Sequence, residues 1–196
     1  MRMGTSKQLL RLGTKSVIRH CVDPLVAAGI TEIIVVSGAD HDAYAGELNG
    51  TGARIVRNNA QDSQMADSVR VGLRALGAGC SGVFVGLADH PLVGCATYRT
   101  MVTAHHQSSE RIIIPAFQGK RGHPSLFPLP VISGIFLLPI LRDLIREQSD
   151  RLLVVDVPDA GVVLDMDTKE DYRSIAEKFA MRTDGLQAGG RQVKEA

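Results

Sequence analysis

Short apolar runs alternate with helix-patterned stretches along most of this 196-residue chain. That alternation restricts the fold more than any other feature. Glu32-Ile33-Ile34-Val35-Val36 is a β-branched run ending at Ser37-Gly38, and it predicts a strand buried on both faces, as in a parallel sheet. Gly82-Val83-Phe84-Val85-Gly86-Leu87 predicts a second such strand, which ends at Ala88-Asp89-His90-Pro91. Further strands are expected at 53–56, 111–115, 152–155 and 162–164. Residues 14–28, 63–76, 94–106 and 168–179 place apolar side chains at helical spacing, with Pro24 expected to bend or restart the first helix. The pattern as a whole predicts an α/β fold, a mostly parallel sheet with helices on both faces. Residues 1–180 form the expected single domain, and the polar, glycine-containing residues 181–196 are expected to be a flexible tail.

Charge and composition remove several function classes. Lys and Arg total 22 against 21 Asp and Glu, a net charge of +1, so neither nucleic acid nor an acidic membrane is an expected partner. The longest apolar stretch, 135–141, contains Pro139 and falls far short of the ~20 residues that span a bilayer. Polar Thr5, Ser6, Lys7 and Gln8 stand where a secretory signal needs an apolar core. Cys21, Cys80 and Cys95 are widely spaced and suggest neither a metal cluster nor a disulfide framework. A reducing, cytoplasmic location is therefore expected.

In an open parallel sheet, ligands bind beyond the C-terminal strand ends. Asp89 lies just past the second strong strand and is the leading candidate to face the crevice, where a hard cation takes one or two carboxylates plus phosphate oxygens. Asp165 and Asp167 follow another apolar run. Two residues apart in extended chain, they share a side, so both point together, or one meets a metal while the other caps the helix that starts near Thr168. Gly119-Lys120-Arg121-Gly122-His123-Pro124 is a glycine-bracketed basic loop that suits phosphate, or else a solvated turn. Gly4 and Lys7 form a weaker phosphate-loop candidate, without the full P-loop spacing. No Ser–His–Asp triad or activated cysteine is suggested, and the adjacent His105-His106 is expected to be an exposed helix end.

Taken in order, these pieces resemble a known set. Arg2-Met3-Gly4-x-x-Lys7-x-Leu9-Leu10 resembles the second half of the nucleotidyltransferase signature Leu-Ala-Ala-Gly-x-Ser-x-Arg-Met-Gly-x-x-Lys-x-Leu-Leu. Asn58, then Ser68-Val69 and Gly72-Leu73, resemble the Asn-Pro…Ser-Leu-x-x-Gly-Leu segment. Leu87-Ala88-Asp89-His90-Pro91 resembles the metal motif Gly/Ala-Asp-Met/Gln-Pro. Arg121-Gly122-His123-Pro124-x-Leu126-Phe127 and Leu164-Asp165-Met166-Asp167-Thr168-x-Glu170-Asp171-Tyr172 complete the series. The set is similar to the molybdenum cofactor cytidylyltransferase group, over residues 2 to about 180. The chain departs from it at Asn59 and Lys169, where proline is usual, at Gln64, where glycine is usual, and at His90 in the metal motif. The Leu-Ala-Ala-Gly half and its preceding strand have no counterpart, so the domain is expected to be short of its first strand by roughly 10–16 residues.

The resemblance implies a three-layer, Rossmann-like nucleotide-diphospho-sugar transferase fold. It implies transfer of CMP from CTP (or of GMP from GTP) to molybdopterin, with pyrophosphate released, for maturation of a molybdenum hydroxylase. Lys7 and Asp89 would be catalytic, and Arg2, Gly4, Lys7, Asn58 and Ser68 would hold the nucleotide. Asp89 and Asp165 would bind Mg²⁺, and Arg121, Gly122, His123 and Pro124 would meet the acceptor. Two other expectations stand beside this one. The first is a non-catalytic protein that binds and delivers the cofactor; the second is an oxidoreductase of the nicotine-blue type on the same fold.

Overall fold

The computed structural model describes residues 6–191. A short 3-10 turn (Lys7–Leu9) leads into a two-strand hairpin, β1 (Arg11–Leu12) and β2 (Lys15–Ser16), and then into α1 (Val17–Ala27), which runs through Pro24 without a break. There follow β3 (Ile34–Ser37), α2 (His41–Glu47), β4 (Arg54–Arg57), α3 (Met65–Ala75), β5 (Gly82–Val85), α4 (Cys95–Gln107) and β6 (Ile112–Phe117). The second half contains β7 (Lys120–Arg121), β8 (Ser125–Pro128), α5 (Leu129–Ile132), α6 (Leu141–Glu147), β9 (Leu152–Asp156) and α7 (Lys169–Arg191).

The sheet has two sections. β3 and β4 pair in parallel. In the other section β5 and β6 both pair antiparallel with β8, and β9 lies parallel to β6. β5, β6 and β9 therefore run one way and β8 alone runs against them, apart from the β6–β7 hairpin. The two sections run in the same sense. The chain entering β3 meets the chain leading to β5, where the Gly77 amide donates to Glu32 at 2.9 Å, and the strands end together beside Ser6 and Lys7. The sheet is thus mostly parallel, as the alternation predicts.

Side-chain alternation on β6 builds a core on each face. Ile112 and Ile114 pack with α3, α5 and α6 through Ala66, Ile132 and Leu144. Ile113 points the other way, to Met101 of α4. Three expectations need correction. Residues 162–164 do not form a strand; a 3-10 turn occupies Ala160–Val163, for reasons of close packing given below. β3 and β5 are largely half-buried rather than buried on both faces. His105 is buried at 5% exposure, because α4 turns it against Ser81 and Gly82, and it is not an exposed helix end.

The last helix starts where Thr168 and Asp171 satisfy each other's backbone amides, a reciprocal cap. It continues to Arg191, past the expected end at 179, so residues 181–191 of the expected tail are helical and 192–196 lie outside the described residues. Ile175, with Met166 just ahead of the helix, packs against Leu12 and Val17, tying the C-terminal part to the start of the chain.

Candidate nucleotide site

The segment after β5, the segment ahead of α7 and the first described turn converge. Lys7 leaves the 3-10 turn beside the segment after β5, and its Nζ donates to Asp89 Oδ2 at 2.6 Å and to Asp167 Oδ1 at 2.7 Å. Burial pulls the Lys7 pKa down, but the bonds and charges of Asp167 and Asp89 outweigh it, so the ammonium is held above its ordinary range. The lysine stays charged at neutral pH.

Asp89 is held by the turn that follows β5, its side chain 17% exposed. Its second oxygen, Oδ1, is buried and has no hydrogen-bond partner. The His90 Nε2 stands 3.9 Å from that oxygen, too far to satisfy it. His90 is buried, its Nδ1 lies 3.4 Å from the Gly161 carbonyl, and its ring meets His123 edge-on at 5.2 Å. His123 is pulled below the usual imidazole range by burial and by the His90 charge, against the opposing fields of Asp89 and Asp165. Its Nδ1 is also buried without a partner.

The two carboxylates of the 165–167 segment meet different partners. Met166 is fully buried between them, so both neighbours face outward, as two-residue alternation requires. Asp167 reaches Lys7, while Asp165 is exposed and its charge is felt at His123. Asp167 was legible only as one of a pair.

On the far side, Asn58 follows β4 and donates through Nδ2 to Ser68 Oγ at 3.3 Å, so these two expected residues are brought together. Arg121 sits on the exposed β6–β7 hairpin, and Pro124 is buried. Gly122 lies against the backbone of the 160–163 turn: a Cβ there would stand 2.1 Å from the Val162 carbonyl oxygen. The next amide, of His123, donates to that same carbonyl at 2.8 Å. Arg2 and Gly4 lie outside the described residues.

Sequence reasoning missed Asp159. Its carboxylate accepts from the Gly94 and Gly161 amides, from Thr97 Oγ1 and from Arg182. It thereby caps α4 from 65 residues away and fixes the loop carrying His90. Its signal was local: Asp two residues before Gly is an Asx-turn pattern. Burial pushes the Asp159 pKa up, but those four bonds overbalance it and hold the carboxyl below its ordinary 3.8. A depressed folded-state pKa contributes stability above the unfolded value, and that stability is lost as pH falls through the folded value. Asp159→Asn is therefore expected to cost about 2 kcal/mol at neutral pH. The gap from the parent should narrow steadily below pH 3.8, as urea titrations over a pH series would measure.

A charged lysine between paired carboxylates thus stands at the C-terminal ends of a mostly parallel sheet, the place where open α/β proteins bind ligands. The family model for the MobA-like NTP transferase domain matches residues 1–157, and the chain belongs to that family. Among solved structures, it is similar to Rv0371c from Mycobacterium tuberculosis H37Rv at 27% identity, covering 90% of this chain and 91% of that one, with a TM-score of 0.76. A manganese complex of Rv0371c aligns with a TM-score of 0.70 at 26% identity, covering 89% and 93%. A nucleotidyl transferase from Methanothermobacter thermautotroptrophicus is 25% identical over 91% of this chain and 87% of that one, with a TM-score of 0.77. A CMP:2-keto-3-deoxy-manno-octonic acid synthetase complexed with CTP shares the fold alone, at 12% identity, 90% and 92% coverage and a TM-score of 0.71. No curated protein matches the chain.

Proposed function

We propose that the protein is a divalent-metal-dependent nucleotidyltransferase that moves CMP from CTP to the terminal phosphate of molybdopterin and releases pyrophosphate. The observation that carries this reading is the Lys7 ammonium bonded to both Asp89 and Asp167 at the strand ends. The donor set suits Mg²⁺. Asp89 presents a buried, unpartnered oxygen, and Asp167 supplies a second carboxylate beside the same ammonium. Among the described residues no three His, Cys, Asp or Glu side chains are grouped to hold a metal by themselves. Magnesium does not need them, because substrate phosphates fill its remaining positions. The manganese complex of Rv0371c supports a divalent ion in this fold, and the CTP complex of the more distant synthetase supports a cytidine nucleotide.

When bound, the ion polarises the α-phosphate and offsets charge as pyrophosphate leaves. The chain's own residues bind and orient. Lys7 releases a carboxylate to meet the triphosphate, keeping its charge paired throughout. Asn58 and Ser68 border the nucleotide side, and Arg121, Gly122, His123 and Pro124 border the acceptor side. The acceptor phosphate is itself the nucleophile, so none is required from the protein. Cys21 fits that division: burial, then the Asp89 charge, push its thiol up to about 12.

The test is pyrophosphate release from CTP, GTP and ATP with Mg²⁺ and molybdenum-loaded molybdopterin. The expected result is release with CTP that depends on molybdopterin. Release from no nucleotide overturns the reading, and molybdopterin binding without it identifies a delivery protein. Lys7→Met is expected to lower kcat/KM for CTP on the order of 100-fold. Most of the loss should appear in KM, because a charge that meets the ground-state phosphates is removed.

A further inference from the structure

Residues 86–94, between β5 and α4, form neither helix nor strand, and Asp89 lies among them. The position of Asp89 is therefore set by whatever holds this loop from outside. Within the loop, the Val93 amide donates to the His90 carbonyl at a long 3.4 Å. Shorter bonds come from distant segments. Asp159 accepts from the Gly94 amide at 2.8 Å. Arg182 of α7 donates through Nη1 to the Leu92 carbonyl at 2.5 Å, and through Nη2 to Asp159 Oδ1 at 3.0 Å. One guanidinium thus ties the loop after Asp89 to the segment entering the 160–163 turn, a bridge that its planar fork of donors suits.

The same helix holds the segment that carries Lys7. Asp167, just ahead of α7, accepts from the Lys7 ammonium. The Tyr172 hydroxyl donates to the Arg11 carbonyl at 2.6 Å. Phe179 packs on the β1–β2 hairpin at Gly13, where a Cβ would stand 2.9 Å from its ring. α7 therefore grips the start of the chain through Tyr172 and Phe179, and the loop after Asp89 through Arg182. From Tyr172 to Arg182 the helix rises ~15 Å, and its continuity fixes the spacing between the two grips. The 2.6 Å bond from Lys7 to Asp89 joins the two segments so held.

We propose that Arg182 is a positioning residue for the Lys7–Asp89 pair: by anchoring the Leu92 carbonyl to α7, it sets where Asp89 stands relative to Lys7. It acts through the loop and not on substrate. Its role differs from that of Asp159. Without Arg182, Asp159 still accepts from the Gly94 and Gly161 amides and from Thr97 Oγ1, so the cap of α4 survives. What is lost is the anchor of residues 89–92 on the helix that also meets Lys7. The proposal rests on the transferase reading for its kinetic consequence, and on the bonds alone for its structural one.

Two variants test it. Arg182→Met keeps the apolar cover of the stem and removes both bonds, whereas Arg182→Lys keeps the charge and one point of donation. The first readout is exchange of the Lys7 ammonium protons with water, followed by NMR without nucleotide or metal. Arg182→Met is expected to speed that exchange at least about tenfold, with Arg182→Lys between it and the parent. The second readout is pyrophosphate release. Arg182→Met is expected to lower kcat on the order of tenfold while KM for CTP changes less than about threefold, because geometry is disturbed and no ground-state contact is removed. Arg182→Lys should recover part of that loss. A lower melting temperature with Lys7 exchange and kcat both unchanged overturns the proposal, since Arg182 then only stabilises the fold. So does a fall in kcat with Lys7 exchange unchanged. Faster Lys7 exchange in a protein whose parent releases no pyrophosphate supports the positioning role while the transferase reading fails.

Discussion

Asp89→Asn is expected to reduce pyrophosphate release by on the order of 1,000-fold, with CTP affinity changed far less. Two properties of Asp89 set that size. Its Oδ1 is buried and has no hydrogen-bond partner, so its charge is not already spent on a protein donor. Its Oδ2 orients Lys7 at 2.6 Å. Asparagine keeps the shape but loses the charge that both a divalent ion and the lysine require. It also places an amide donor where Lys7 needs an acceptor. Losing one well-placed electrostatic contact to a transition state costs roughly 3–4 kcal/mol, and about 1.4 kcal/mol is a factor of ten. Steady-state kinetics with varied Mg²⁺ separate the two roles. A loss that high Mg²⁺ partly rescues marks weakened metal binding, and a loss indifferent to Mg²⁺ marks a misplaced Lys7. Unchanged turnover would remove Asp89 from the site altogether.

Asp89 was legible because a rule of topology exposes it, whereas Lys7 was only a weak loop candidate until the resemblance of Arg2-Met3-Gly4-x-x-Lys7 to the nucleotidyltransferase signature gave it a role. A polar residue just after a buried apolar run lies at a strand's C-terminal end, and that end is where open α/β sheets bind ligands. The rule needs only the order of runs along the chain. The alternation of β6, with Ile112 and Ile114 on one face and Ile113 on the other, is legible for the same reason. Other features depend on what meets what across the fold. Val162-Val163-Leu164 has strand composition, yet it forms a turn, because its backbone is held by contacts from distant segments and not by a neighbouring strand. β8, Ser125–Pro128, escaped detection because the three residues between Pro124 and Pro128 carry no period, and its antiparallel pairing is set by β5 and β6. The choice between Asp165 and Asp167 was open locally, since both face outward around Met166. Only the position of Lys7 decides which of them it meets.

Gly122→Ala is expected to be among the most destabilising single substitutions in the protein, at about 3–5 kcal/mol. The added Cβ would stand 2.1 Å from the Val162 carbonyl oxygen and 2.6 Å from its carbon. Neither atom is the end of a flexible side chain. The 160–163 turn cannot withdraw to make room, because its other side is equally close: a Cβ on Gly161 would stand 2.3 Å from the Leu92 carbonyl oxygen. The turn is clamped between two glycine contacts, one to the loop carrying Gly122 and one to the loop following Asp89. Asp159 fixes the same turn through the Gly161 amide. Separation at Gly122 breaks the His123 amide bond to Val162 and shifts the His123 ring against His90. The melting temperature is therefore expected to fall by roughly 10–15 °C for a chain of this size. Gly161→Ala should cause a loss of similar size. The double variant should lose less than the sum, because both substitutions displace one segment and contacts in a shared unit are not additive. Thermal melts of the two single variants and the double variant measure this coupling. Strict additivity would mean that the turn is not a single clamped element.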